Sequence, residues 1–418
     1  MRVKYVIIGD GPAGNAAAEA IRRRDPTGEI VILSEEATPS YYRPLLPLLI
    51  EAKLSQQDLL RDELHTAAGA SRQLDRAVTR IDPARRRLTL GKGEGLEYDR
   101  LLLATGANPI LPPISGLQGK GVFVLRQLTD AQGIRQAAQE AKRAVVVGGG
   151  RIGVKAALAL RSLGLEVTLL VRRRLVGILV NDPAAAMVQQ VVSAQGISMV
   201  LEESIQGLER KGGKVRAGLT SGGKHLEADM VVLGAGVRAN TALASAAGLA
   251  VGNGIKVDRN LQTSAPGIYA AGDVVETTDV ASGETMVSGT WTNAVAMGHT
   301  AGENMAGGRR DFPGALNVVN AMDVAGLPVV AVGVVNPTNG YEAYPHQAPG
   351  SYRKLVFRGE RLVGLLLVGD LRGAGVYHTL IREGTDISRV KGELIAGAYS
   401  YAHRLTPQAP VLDTYGVA

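Results

Sequence analysis

Short, unbroken apolar runs recur along the chain, each followed by a glycine turn and then a longer, small-residue segment. "VKYVIIG" at 3–9 is the first. A continuous apolar run of this length predicts a strand buried on both faces, as in a parallel sheet. The turn "GDGPAG" (9–14) follows. The alanine-rich "NAAAEAIRRRD" (15–25) predicts a helix stopped by Pro26, and "EIVILSEE" (29–36) predicts the second strand. The same order returns downstream as "RAVVVG" (143–148), "GGGRIG" (148–153), "VKAALALRSLG" (154–164) and "EVTLLV" (166–171). One supersecondary unit is therefore present twice. Each copy has a later echo, an apolar strand ending in a small-residue turn: "RLLLATGANP" (100–109) and "MVVLGAGVRAN" (230–240).

Beyond about Asn317 the texture changes. "LPVVAVGVV" (327–335) and "YRKLVFRGERLVGLLLVGD" (352–370) predict antiparallel strands with a hairpin turn at Arg358-Gly359-Glu360, and "AGVYHTLIREG" (374–384) predicts a helix. The tail from about Lys391 carries no clear pattern. The fold class is α/β: two Rossmann-like dinucleotide-binding domains and a C-terminal α+β domain. The first is discontinuous, over 1–112 and 243–316; the second, 113–242, is inserted into it; the third is 317–418.

The turns explain that expectation. Gly9, Gly11 and Gly14 form G-x-G-x-x-G between a strand and a helix, where glycines permit a tight turn and close approach of pyrophosphate to a helix N-terminus. Glu35 follows about twenty residues later, at the end of the next strand, where a carboxylate accepts ribose hydroxyls. Gly148, Gly150 and Gly153 repeat the pattern. There the strand runs instead into Arg172, Arg173 and Arg174, so the expected acid is missing and the charge inverted. Asp273, after Gly272, ends the apolar strand of "TSAPGIYAAGDVVE" (263–276), at the strand edge where α/β ligands collect.

Composition narrows the chemistry. The chain has no cysteine, which excludes disulfides, thiolate metal sites, Fe–S ligation and a redox dithiol in the chain itself. Its six histidines are scattered without ligand spacing, so no metal site is expected. No stretch approaches the ~20 apolar residues of a membrane span, and no signal segment precedes the first strand, so a cytoplasmic location is expected. The formal net charge is +7. Its clusters "ARRRL" (84–88), "VRRRL" (171–175) and "GRR" (308–310) read first as solvated faces and second as docking for an acidic protein. No nucleic-acid motif accompanies them.

In order, "GDGPAG", "LLLATGANP" and "GIYAAGDVVE", with a second fingerprint between the last two, resemble the FAD-dependent pyridine nucleotide oxidoreductases. "SYYRPLLPLLIEAKLS" (40–55) and "LVGLLLVGD" (362–370) are most similar to the branch of NADH:rubredoxin reductases and the flavin portion of assimilatory nitrite reductases. The resemblance implies FAD on the first domain. Gly9, Gly11, Pro12, Ala13 and Gly14 would lie at the pyrophosphate, Glu35 at the adenosine ribose and Arg43 near the pyrophosphate. Val78 would meet the adenine through its backbone, and Ala104, Thr105 and Gly106 would pack near the diphosphate. Gly272 and Asp273 would meet the ribityl or phosphate region. Trp291 would begin a helix whose N-terminus faces the flavin pyrimidine.

NADPH or NADH would take Gly148, Gly150, Ile152, Gly153 and Gly236. Arg172 and Arg173 would sit where a 2′-phosphate could bind, since a guanidinium fork matches a phosphate dianion; a wet loop in an NADH enzyme is the alternative. Three departures from the family stand out. Disulfide-reductase relatives have a cysteine where this chain has "SYYRPLLP", so disulfide chemistry is excluded. Some ferredoxin-reductase relatives have a lysine about where Leu48 stands here, with Lys53 nearby. Lys155 replaces a glutamate found in many relatives beside flavin and nicotinamide. It is a candidate catalytic-site residue, or else a helix lysine reaching solvent or pairing with an acid.

The expected function is NAD(P)H-dependent reduction of FAD, with electrons passed directly to rubredoxin, ferredoxin or oxygen. A flavin subunit of a larger nitrite-reductase-like redox complex is one alternative, and an FAD-binding sensor with poor turnover another. A homodimer through the C-terminal domain is possible.

Overall fold

The computed structural model describes residues 2–61, 68–173, 175–176 and 183–398. The first sheet has five parallel strands, in the order Ile268–Ala270, Arg100–Leu103, Lys4–Ile8, Glu29–Leu33, Ser71–Gln73. Its central strand is the first apolar run. Val6 and Ile7 are fully buried, as are Ile32, Leu101 and Leu102 on its neighbours, because both faces of the sheet are covered. A small antiparallel sheet, Val78–Asp82, Arg87–Leu90 and Gly95–Glu97, is attached.

The second sheet repeats the plan, in the order Ile197–Leu201, Glu166–Val171, Arg143–Val147, Met230–Leu233, Val122–Val124, again all parallel. The two chain crossings between these sheets pair with each other: Ala107–Pro109 runs antiparallel to Val237–Ala239. The third sheet is antiparallel, in the order Val319–Val324, Leu327–Gly333, Arg361–Val368, Ser351–Arg358, Glu342–Ala348. Helix Ala374–Glu383 packs on one face of it, through Tyr377, Leu380 and Ile381. The other face, through Val329, Ala331 and Leu366, joins the apolar core of the second dinucleotide unit. A short helix follows at Lys391–Ala396.

Two boundaries differ from the sequence reading. The first glycine-loop helix is Pro12–Arg24, starting at Pro12 rather than Asn15. Proline suits the first helical turn, where its missing N–H has no partner to lose. The second is Arg151–Ser162, starting at Arg151 rather than Val154. In both, the third glycine lies inside the helix and not in the turn. The strand before the arginines is Glu166–Val171, as read, and ends just ahead of Arg172.

One helix pair sets the geometry of the first site. Helix Trp291–Met305 lies against helix Pro12–Arg24 so closely that a Cβ on Gly298 would come within 2.2 Å of the Ala13 carbonyl oxygen. A Cβ on Gly302 would come within 2.3 Å of the Ala17 carbonyl oxygen. Gly298 and Gly302 are four apart and share a face, and Ala13 and Ala17 form the matching stripe. This brings the two helix N-termini together.

Candidate functional site: two dinucleotide cradles

The three glycines of the first turn do different work. Gly9 has φ +117°, and a Cβ there would lie 2.2 Å from the Ala104 carbonyl oxygen. A Cβ on Gly14 would lie 2.0 Å from the Gly9 carbonyl oxygen. Both are demanded by the chain's own packing. Gly11 is not: it caps the helix with an ordinary extended backbone, and a Cβ there would meet nothing within 4 Å. Its missing side chain leaves open space over the unpaired N–H groups of a helix start, the form of an anion cradle.

The second turn repeats this residue for residue. Gly148 has φ +115° and would strike the Gly234 carbonyl oxygen at 2.3 Å. Gly153 would strike the Gly148 carbonyl oxygen at 1.8 Å. Gly150 has its nearest atom, Gly234 O, at 4.0 Å. Each unit therefore leaves one glycine facing space. The echo turns interlock behind them. Thr105 Oγ1 donates to the Asn240 carbonyl at 2.9 Å, and Asn240 N–H donates to the Gly106 carbonyl at 2.9 Å. Ile110 N–H donates to the Gly236 carbonyl at 2.9 Å. Gly106 and Gly236 both have positive φ, +67° and +105°.

Glu35 is exposed and has no hydrogen-bond or ion-pair partner among the described residues, so its carboxylate is free to accept. Its neighbour Glu36 is occupied. It accepts from Tyr41 Oη at 2.7 Å and pairs with Arg43. Arg43 also donates to Tyr41 Oη at 2.9 Å and to the Arg126 carbonyl at 3.1 Å. Burial opposes the Arg43 charge, but Tyr41 and Glu36 outweigh it and hold the guanidinium pKa above its usual value. Burial pushes the Tyr41 hydroxyl pKa up. Val78 is half-buried at the start of its strand. Behind the turn, Arg72 Nε lies 3.2 Å from Asp10 Oδ1, and Asn15 Nδ2 donates to the same oxygen at 2.9 Å.

Asp273 is paired from within the chain: Arg126 Nη2 donates to its Oδ2 at 3.0 Å. Gly272 before it has φ +82°, and a Cβ there would sit 3.0 Å from Ala13 Cβ and 3.6 Å from Ala294 Cβ. Gly272 thus wedges between the starts of helices Pro12–Arg24 and Trp291–Met305. Thr290 caps the latter by accepting from Asn293 N–H at 3.4 Å. Trp291 begins it and stacks on Tyr42, ring centroids 5.5 Å apart, with Arg61 over both rings at 5.0 and 5.1 Å. A cavity of about 300 Å³ opens beside Asp273, between the crossing ribbon (Ala107, Ile110, Arg238) and Val287 and Gly289.

In the second unit Arg172 and Arg173 are exposed, and neither has an acidic partner among the described residues. Arg174 lies outside the described residues. Ile152 is 41% exposed on the first helical turn, an apolar surface beside the cradle. Lys155 is half-buried on the same helix and pairs with no acid among the described residues. Arg151, at the helix start, donates to Asn320 of the C-terminal sheet. Lys53 is exposed and pairs with Glu51 at 2.6 Å.

The sequence reading missed Arg126, Glu36, Tyr41 and the Asp10–Arg72–Asn15 network. Only Glu36 and Asp10 had a local signal, as second acids beside the residues singled out. Among the described residues no group of three or more potential metal ligands occurs, and no helix is long and apolar enough to cross a membrane.

Against known families, residues 3–298 match the pyridine nucleotide-disulphide oxidoreductase model, and residues 319–385 match the rubredoxin NAD+ reductase C-terminal domain. The chain is 30% identical to an assimilatory nitrate reductase electron transfer subunit of Bacillus subtilis, over 94% of this chain and 51% of that protein. It is 34% identical to an NADH oxidase of Methanocaldococcus jannaschii, over 75% of this chain and 72% of that protein. The solved ferredoxin reductase for the CYP199A2 system of Rhodopseudomonas palustris superposes with a TM-score of 0.83 at 26% identity, covering 90% of this chain and 94% of that one. The chain thus spans about half the length of the nitrate reductase subunit and most of the length of the other two.

Proposed function

Because the chain belongs to the pyridine nucleotide-disulphide oxidoreductase family, whose members are NAD(P)H-dependent flavoproteins, we propose that it reduces FAD with NAD(P)H and passes the electrons directly to an acceptor. The acceptor is a one-electron carrier such as rubredoxin or ferredoxin, or oxygen. The observation that carries this reading is the pair of matching cradles at Gly11 and Gly150, each open where its two flanking glycines are closed by backbone.

The residues divide the work. Residues 1–112 and 243–316 hold FAD: the N–H groups above Gly11 take the pyrophosphate and Glu35 the adenosine ribose. Arg126 neutralises Asp273, so no bare carboxylate faces the cofactor's phosphates. The Trp291 helix start, wedged in place by Gly272, offers a positive partial charge to the flavin ring. Residues 113–242 hold the nicotinamide cofactor, with its pyrophosphate above Gly150 and Arg172 and Arg173 beside a 2′-phosphate. These arginines favour NADPH over NADH. FAD, when bound, supplies hydride acceptance and release of electrons one at a time.

The chain has no cysteine, so no dithiol can relay electrons, and discharge is direct. A formal net charge of +7 would speed encounter with an acidic carrier. The length of the nitrate reductase relative supports a second reading, a flavin subunit feeding a partner that holds its own redox centres. Purification with a panel of carriers separates the two. Turnover with isolated rubredoxin or ferredoxin supports the first, and turnover only with a co-purified partner supports the second.

A further inference from the structure

A second cavity, of about 410 Å³, opens where the hairpin turn of the C-terminal sheet meets loop 280–283 of the first unit. Its size falls among small-molecule sites, roughly 300–1,000 Å³. None of the glycines, acids or arginines placed above at either cofactor lines it. Two other arginines do, Arg358 and Arg361, and both are exposed. They face each other across the end of the hairpin, with only Gly359 and Glu360 between them. Like charges set opposite one another in a sheet cost stability. No acid offsets the pair: neither guanidinium forms an ion pair among the described residues. The acids nearby are engaged elsewhere. Glu360 lies 3.6 Å from Lys391 Nζ. Asp386 accepts from Ser388 N–H at 2.9 Å, and that bond, with Arg361 behind it, lowers its carboxyl pKa. Arg358 rests over the Tyr341 ring, 5.9 Å from its centroid.

Behind the arginines the wall is apolar, built by Val280, Ala281, Val363 and Ile381. Both sides of the cavity are fixed by the chain's own bonds. Buried Asp279 holds the loop: its Oδ2 accepts from Ser282 N–H at 3.0 Å and Ser282 Oγ at 2.8 Å. Its backbone carbonyl accepts from Gly283 N–H at 2.8 Å. On the other side, the Gly359 carbonyl accepts from Lys391 Nζ at 2.9 Å, and the Glu360 carbonyl accepts from Ile387 N–H at 3.0 Å. Helix Ala374–Glu383 ends at this wall. Its Leu380 and Ile381 carbonyls accept from Thr385 and Gly384 N–H at 3.2 and 3.3 Å, which blunts the negative end of the helix.

We propose that this cavity binds an organic phosphate monoester, its phosphate between the Arg358 and Arg361 guanidiniums and its apolar body against Val280, Val363 and Ile381. Two guanidiniums match the charge of such a phosphate, close to −2 at neutral pH, and their forked donors match its oxygens. The bound phosphate removes the repulsion across the hairpin end. The apolar wall distinguishes the site from one for inorganic phosphate. The proposal goes beyond the cofactor reading and does not depend on it.

The test is calorimetric titration of the full chain with phenyl phosphate, inorganic phosphate and benzoate. Wild type should bind phenyl phosphate at least about tenfold more tightly than either of the others, since only phenyl phosphate offers both the dianion and the apolar body. Arg358→Gln and Arg361→Gln alter exposed side chains and should melt as wild type does, while each weakens phenyl phosphate at least about tenfold. Arg172→Glu, in the second dinucleotide unit, should leave phenyl phosphate affinity unchanged. Equal affinity in wild type and both hairpin variants overturns the proposal. So does a loss confined to Arg172→Glu, which would place the phosphate in the second dinucleotide unit. Phenyl phosphate bound no more tightly than inorganic phosphate in wild type also overturns it, and that comparison holds whether or not the variants fold.

Discussion

Arg126 Nη2 stands 3.0 Å from Asp273 Oδ2, joining the second dinucleotide unit to the strand edge of the first. The two residues are 147 positions apart, and their side chains are only 26% and 18% exposed. In the proposed FAD reading, the pair lets an acid sit at the cofactor's edge of the sheet without repelling its phosphates. Arg126→Ala should therefore weaken FAD binding about tenfold, and adding Asp273→Asn should restore most of the loss. A double-mutant cycle of FAD dissociation constants checks this. Additive losses would show that the pair does not act as a unit.

The glycines of the first turn should separate ligand effects from folding effects. Gly11→Val places a side chain in open space over the helix start, so the apoprotein should melt normally while FAD affinity falls at least tenfold. Gly14→Val must displace the Gly9 carbonyl and should destabilise the apoprotein itself by roughly 1–3 kcal/mol or more. Thermal melts with and without FAD distinguish them. Equal loss of apoprotein stability in both would contradict the distinction.

Arg172→Glu reverses the charge at the end of the second unit's Glu166–Val171 strand. KM for NADPH should rise at least tenfold and KM for NADH should change little, because only NADPH carries the 2′-phosphate. Steady-state kinetics with both donors measure the contrast. A similar change for both would make the arginines a solvated loop.

Much of this architecture was legible in the sequence. The apolar runs marked every central strand of the two parallel sheets, because burial on both faces leaves few polar positions in the pattern. Glu35 was singled out because it follows a strand at the spacing of a ribose-binding acid, and the structure leaves it exposed there. What escaped depends on tertiary approach. Nothing local marks Gly298 and Gly302 as the surface on which Ala13 and Ala17 rest. The Arg126–Asp273 pair joins segments far apart in the chain. The helix starts at Pro12 and Arg151 were misjudged because Gly14 and Gly153 read as turn residues, while close backbone packing places them inside helices.

Stability should fall on the acid side through His299. Burial holds its pKa below the usual 6.5, aided by Arg23, whose Nη2 lies 3.2 Å from Nδ1, and by Arg310, with Glu303 opposing. The folded chain keeps the ring neutral to a lower pH than the unfolded chain, which takes up a proton near pH ~6.5. Its contribution is therefore present above that pH and lost as pH falls towards and through the lowered folded pKa. His378, also lowered by burial, acts in the same direction. Melting temperatures between about pH 8 and pH 5 should decline less steeply in His299→Gln than in wild type. Identical slopes would remove His299 from the account.

The central claim is that two cradles in one cysteine-free chain bring a nicotinamide donor to FAD and discharge it directly. Anaerobic stopped-flow mixing of the FAD-loaded protein with NADPH and with NADH tests it most directly. Addition of oxidised rubredoxin or ferredoxin follows. The account predicts rapid bleaching of the oxidised-flavin band, faster with NADPH, and recovery of the band when the carrier is added. A protein that binds FAD but is bleached by neither donor within minutes would contradict it.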